Sequence, residues 1–162
     1  MRNWLLTGLV VLLASSGGCA KLFRGDSQKM KFITEPEGAL VKINTDKEFT
    51  TPAEVKLKRK DKQEVTISKE GYRTIKFEMV AKWDGASIPS FVLPLGSIWF
   101  ATDTASGADR SFYKLDTIKL EPTTDPNAPA LVLIQYRGKL YTEEQYKQVR
   151  EEERKYREYY FE

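Results

Sequence analysis

From Met30 onward, apolar and polar residues alternate in short runs, each closed by turn-forming residues. Met30 to Thr34 leads into Pro36-Glu37-Gly38, and Ala39 to Asn44 continues extended to a turn at Thr45-Asp46-Lys47. In Glu54 to Lys58, Val55 and Leu57 point one way and Lys56 and Lys58 the other. Gln63 to Ser68 carries Val65 and Ile67 inward, Gly71 breaks the run, and Thr74 to Val80 repeats it with Ile75, Phe77 and Met79. Side chains on a strand alternate faces, so period-two runs at this spacing predict a small antiparallel β-sandwich or barrel. A further strand is expected at Asp116 to Leu120.

Trp83 to Tyr113 interrupts this pattern. Its centre, residues 88–101, is densely apolar and includes Phe91, Leu95, Trp99 and Phe100, then turns polar at Asp103 to Arg110. Pro89, Pro94 and Gly96 argue against a continuous helix, so the insert, residues 82–113, is expected to be an apolar hairpin. Two arrangements suit it. The hairpin can cap an open end of the sandwich, or it can stand exposed and meet a bilayer interface or an apolar partner, where Trp83 and Trp99 are favoured.

Residues 122–129 contain Pro122, Pro126 and Pro129 and read as a stiff linker. Ala130 to Tyr136 is a strongly apolar strand, and Arg137-Gly138 turns it into Lys139 to Tyr141. Thr142 with Gln145 forms a capping-box pattern that opens a helix. Glu143 and Lys147, Glu151 and Lys155, and Glu153 and Arg157 fall at i,i+4 in the favourable order. Tyr146, Val149, Tyr156 and Tyr160 share one side, interrupted by Glu153. Such a narrow aromatic face packs on its own domain, on a partner helix, or on a second copy of the chain.

The N-terminus has another character. Arg2 precedes an apolar stretch from Trp4 to Ala14, followed by Ser15-Ser16-Gly17-Gly18 and then Cys19, the single cysteine. About eleven apolar residues are too few to span a bilayer but suit an export signal. The stretch resembles a bacterial lipoprotein signal over residues 1–18. That resemblance implies that Cys19 becomes the acylated first residue of the mature protein, with palmitate-type chains holding it on the membrane. Ala20 after the cysteine is similar to an outer-membrane address in Gram-negative lipoproteins, with the protein facing the periplasm. An ordinary cleaved signal would instead leave one free thiol, a liability in an oxidising compartment. Residues 19–29 read as a tether.

Pro36-Glu37-Gly38-Ala39, Thr51-Pro52 and Gly71-Tyr72 stand in the order and spacing of the PEGA domain, which the chain resembles over about residues 30–80. The resemblance implies a small all-β module of bacterial surface and envelope proteins, here residues 30–121. It implies no catalytic residue, since these motifs specify turns. Asp103-Thr104-Ala105-Ser106-Gly107-Ala108 is also similar to an Asp-x-x-Thr-Gly-Ala element in some lipid-anchored members.

Composition narrows the chemistry. The chain has no histidine and one cysteine, which excludes Ser-His and Cys-His nucleophilic systems and the usual zinc sites. Of 26 basic and 23 acidic side chains only Arg2 precedes Cys19, so cleavage lowers the net charge from +3 to +2. That balance does not predict nucleic-acid binding. Lys56, Lys58, Arg59, Lys60 and Lys62 cluster at one hairpin, but Glu54, Asp61 and Glu64 interleave, which suits a solvated edge. Asp84, Asp103 and Asp109 lie near glycines, as turn aspartates do, and no cofactor or metal is implied. The expectation is therefore a mainly β fold: a PEGA-like sandwich with an apolar insert, and residues 130–162 as a hairpin plus helix. Its expected role is non-enzymatic binding or scaffolding at the membrane surface, with an envelope protein as partner and self-association through the helix as a further route. Two other roles are open to it, membrane or apolar-ligand binding through residues 88–101 and, third, hydrolysis of cell-wall glycan.

Overall fold

A computed structural model describes residues 24–84, 96–125 and 127–161, with the backbone alone at 96–100 and 161. Cys19 and its signal, and Phe91 and Leu95 of the insert, lie outside the described residues. The strands are β1 (Ser27–Phe32), β2 (Thr34–Glu35), β3 (Leu40–Ile43), β4 (Lys47–Thr50), β5 (Ala53–Lys58), β6 (Gln63–Ser68), β7 (Ile75–Met79), β8 (Lys82–Trp83), β9 (Arg110–Ser111), β10 (Ile118–Lys119), β11 (Leu131–Tyr136) and β12 (Lys139–Tyr141). Two helices, α1 (Gly96–Ser106) and α2 (Glu143–Phe161), complete the described elements. The fold is mainly β with a C-terminal helix. No helix among the described residues is long and apolar enough to cross a membrane.

The chain divides into two compact units. The larger contains residues 29–55, 62–80 and the described part of 113–161, and is built on a six-stranded sheet ordered β12-β11-β7-β6-β3-β4. All neighbours in it are antiparallel except β11 and β7. The register explains the alternation. Val41 lies opposite Ile67, Ile67 opposite Ile75 and Ile75 opposite Leu131; Ile43, Val65, Phe77 and Leu133 form the next row. The residues of these rows on β3, β6 and β7 are buried, each side chain contributing about 1.5–3 kcal/mol. Lys42, Thr66, Lys76 and Val132 form a row on the opposite face. Met30 and Phe32 of β1 are fully buried, and the Phe32 ring lies 5.4 Å from Phe49. β10 pairs in parallel with β2, where Asp116 to Leu120 was expected to be extended. Because β11 joins β7, the C-terminal hairpin extends this sheet.

The smaller unit contains residues 24–28, 56–61 and the described part of 81–112. Antiparallel β8 and β9 close the base of the insert. Two features depart from expectation. Residues 96–106 form a helix and not the arm of a hairpin. Both prolines precede its first turn, and its apolar residues do not gather on one face, so no 3.6-residue period marks it. Strand β1 begins at Ser27, within the expected tether, because Gln28 donates from Nε2 to the Phe112 carbonyl at 3.0 Å and its Oε1 accepts the Phe112 N–H at 3.0 Å.

Candidate functional site

Two of the three motifs, Pro36 to Ala39 and Thr51-Pro52, meet in a buried knot of hydroxyls in the larger unit. Thr34 Oγ1 donates to the Pro36 carbonyl at 2.8 Å and lies 2.5 Å from Thr51 Oγ1. Having given its proton to Pro36, Thr34 accepts from Thr51, whose oxygen in turn accepts the Ala39 N–H at 3.0 Å. Backbone bonds from Gly38 N–H to the Thr51 carbonyl (3.0 Å) and from Thr51 N–H to the Ala39 carbonyl (2.9 Å) close the knot. Both Glu35-Pro36 and Thr51-Pro52 are cis, and Gly38 and Gly71 have φ of 78° and 76°. Thr34 escapes sequence reading, because a threonine at the end of an alternating run looks like any other strand residue.

Beside this knot runs an open groove of about 1110 Å³. One wall is the turn carrying Gly71, Tyr72 and Arg73, and the other is formed by Thr123, Thr124, Asp125 and Ala128. The walls are tied together by Thr123 N–H to the Gly71 carbonyl (2.9 Å) and Arg73 N–H to the Glu121 carbonyl (2.8 Å). Tyr72 is half-buried in it. The proline-rich segment expected to be a linker thus forms part of a surface.

Helix α2 begins as expected: Thr142 N–H donates to Gln145 Oε1 at 2.9 Å, and Gln145 N–H to Thr142 Oγ1 at 3.4 Å. Its first half is fastened to β11 by Tyr136. The Tyr136 hydroxyl donates to Glu153 Oε2 at 2.7 Å, its ring meets Tyr146 edge-on at 5.5 Å, and the Arg137 and Arg150 guanidinium groups lie 5.3 and 5.8 Å from its centroid. Glu153, which interrupts the apolar stripe in sequence, is therefore the acceptor of this junction. It pairs with Arg137 at 2.9 Å and Arg150 at 3.5 Å, where the sequence suggested Arg157. The hydrogen bond from Tyr136 holds its carboxyl below the usual range, aided by these arginines.

Beyond Glu153 every described side chain of α2 is exposed. Tyr156 is 62% exposed, Tyr159 81% and Tyr160 61%. Their rings touch one another, with centroids 4.4 Å apart for Tyr156–Tyr160 and 4.9 Å for Tyr159–Tyr160. Among the predicted interaction residues, Tyr146 thus lies against Tyr136, whereas Tyr156 and Tyr160 are presented to solvent. Trp99 and Phe100 fall on the first turns of α1.

In the smaller unit, Asp103 and Asp109 are 0% and 2% exposed. The Asp103 carbonyl accepts the Ala108 N–H at 3.0 Å, and the Thr104 carbonyl the Gly107 N–H at 3.2 Å. That is a Schellman cap, with Gly107 at φ 75° as the left-handed residue. A Cβ on Gly107 would stand 2.7 Å from the Lys60 backbone nitrogen. The Asp103 to Ala108 element is thus the end of a helix pressed against backbone. Asp109 accepts from Thr104 Oγ1 at 3.0 Å, and Asp84 is paired with Arg24 at 2.7 Å and bonded to the Ser111 hydroxyl. Arg59, expected on the basic edge, is buried instead and donates to the Gly25 carbonyl at 2.7 Å. Burial pushes its pKa down, and neighbouring Arg24 adds to the effect. No group of three or more potential metal ligands occurs among the described residues.

Residues 29–82 match the PEGA domain. The match takes in the motif knot and strands β2 to β7, and ends at Lys82, where the insert begins. No curated protein and no solved structure matches the chain.

Proposed function

We propose that this chain is a non-enzymatic binding or scaffolding module of the bacterial cell envelope, held on the membrane by acyl chains on Cys19 and facing the periplasm. The observation that carries this reading is the end of α2. Its stripe of Tyr146, Val149, Glu153, Tyr156 and Tyr160 follows 3-4 spacing, but the described side chains beyond the Tyr136–Glu153 bond are exposed. The remaining turns present three touching tyrosines. Tyrosine offers large contact area at little conformational cost and is enriched where interfaces concentrate their binding energy. The rim of the cluster is of mixed charge, since Arg154 pairs with Glu151 at 2.6 Å and Glu158 at 3.3 Å and Lys155 lies 3.9 Å from Glu151, so the rings supply the contact surface. The PEGA match supports the envelope setting, and the hydroxyl knot has the character of a rigid support.

The reading is tested by crosslinking intact membranes and purifying the protein, alongside a Tyr156→Ser/Tyr160→Ser variant. A single stoichiometric envelope partner that disappears with the double substitution is expected. Crosslinks unchanged by it would place recognition elsewhere.

A further inference from the structure

We propose that the groove between the Gly71–Arg73 turn and Thr123 to Asp125 is a second binding site, and that its ligand is a glycan strand without net charge. Three observations point there. The groove is polar: Ser68, Thr74, Thr123 and Thr124 bring four hydroxyls to one aromatic side chain, half-buried Tyr72. A lone aromatic among hydroxyls and two carboxylates, Glu70 and Asp125, suits a pyranose, whose C–H face stacks on the ring while its hydroxyls exchange hydrogen bonds with the rim. The walls are also preformed. Backbone bonds join them, and Asp125 is held by Asn127 N–H donating to Oδ1 at 2.8 Å, which leaves its other oxygen for a ligand hydroxyl. A ligand entering such a site loses little to ordering the protein.

Charge selects among polar ligands. Lys69 and Arg73 are balanced in the groove by Glu70 and Asp125. Lys69 Nζ is directed to the Gly38 carbonyl at 3.4 Å, and Arg73 Nε donates to the Pro129 carbonyl at 2.8 Å. The two cations thus brace the walls, and a polyanion gains nothing there. The inference rests on the envelope reading only for the source of the ligand, since an exported protein meets cell-wall glycan.

The test is titration of the full chain with the β-linked tetramer of N-acetylglucosamine, followed by calorimetry. The wild-type chain and Tyr72→Phe, which keeps the ring, are expected to bind. Tyr72→Ala should weaken binding at least tenfold, and Asp125→Ala severalfold. If Tyr72→Ala does not fold, Asp125→Ala and Thr124→Val decide, as both alter exposed loop positions. Absence of binding by the wild-type chain overturns the proposal. So does binding that survives these substitutions, or capture of an acidic peptide in place of the sugar. Membrane fractionation of the same protein is scored separately, so a soluble chain that still binds the tetramer would sink the anchor and leave the groove standing.

Discussion

The side chains that decide most in this protein are small. Thr51 connects two motifs through one oxygen that accepts from Ala39 and one proton that goes to Thr34. Thr51→Val keeps the shape but leaves the Ala39 N–H and a Thr34 lone pair unmet in a buried place, at a cost of about 1–3 kcal/mol. Chemical denaturation should show the midpoint falling with an unchanged slope; an unaltered midpoint would mean that the knot contributes nothing. Gly107 is constrained twice, by its left-handed φ and by the Lys60 backbone 2.7 Å from where a Cβ would sit. Gly107→Ala should lose about 1–2 kcal/mol from conformation alone, and more from the contact. Hydrogen exchange at Ala108 and Arg110 reports that loss locally. Protection equal to that of the wild type would contradict the cap.

Among the elements, α2 joins a docked half to an undocked one. The carboxyl of Glu153 lies below its usual range because Tyr136 donates to it, so the ionised form is the one favoured by folding. A lowered folded-state pKa contributes stability above the ordinary carboxylate range, and that contribution is lost as pH falls through it. Hydrogen-exchange protection along residues 143–153, taken relative to the intrinsic exchange rate at each pH, should therefore fall on acidification from neutral pH toward pH 3. Glu153→Gln should flatten much of this dependence, and a profile unchanged by it would place the titrating group elsewhere. The element also shows what sequence can and cannot carry. Val65, Ile67, Ile75, Phe77 and Met79 announce their strands because burial on one face leaves a period of two. Thr142 and Gln145 announce the helix start because capping needs neighbours in sequence. The Tyr136–Glu153 junction joins residues 17 apart, and each alone looks like an ordinary strand aromatic or a misplaced charge. Helix α1 is illegible for another reason: it has no single apolar stripe, and the prolines that seem to forbid it lie outside its span. The groove wall at Thr123 to Asp125 passes for a linker because the bond that places it, from Thr123 N–H to the Gly71 carbonyl, joins residues far apart in sequence.

At the scale of the whole molecule, a hydroxyl-knotted β module supports two outward surfaces, the tyrosine end of α2 and the polar groove. A protein held on a membrane by acyl chains meets neighbours and glycan at high local concentration, so modest individual affinities suffice there. One chain would hold weakly, since each buried methylene contributes about 0.8 kcal/mol, whereas two or three would hold durably. The Tyr156→Ser/Tyr160→Ser variant should leave membrane retention unchanged while removing the partner, which separates anchoring from recognition. The proposed envelope role depends on where the chain resides. The most direct measurement is the intact mass of the protein from a bacterial membrane fraction, compared with Cys19→Ala. The account predicts a mature species that begins at Cys19 and carries added acyl mass, with the variant lost from the membrane. An unacylated wild-type species in the soluble fraction would contradict it.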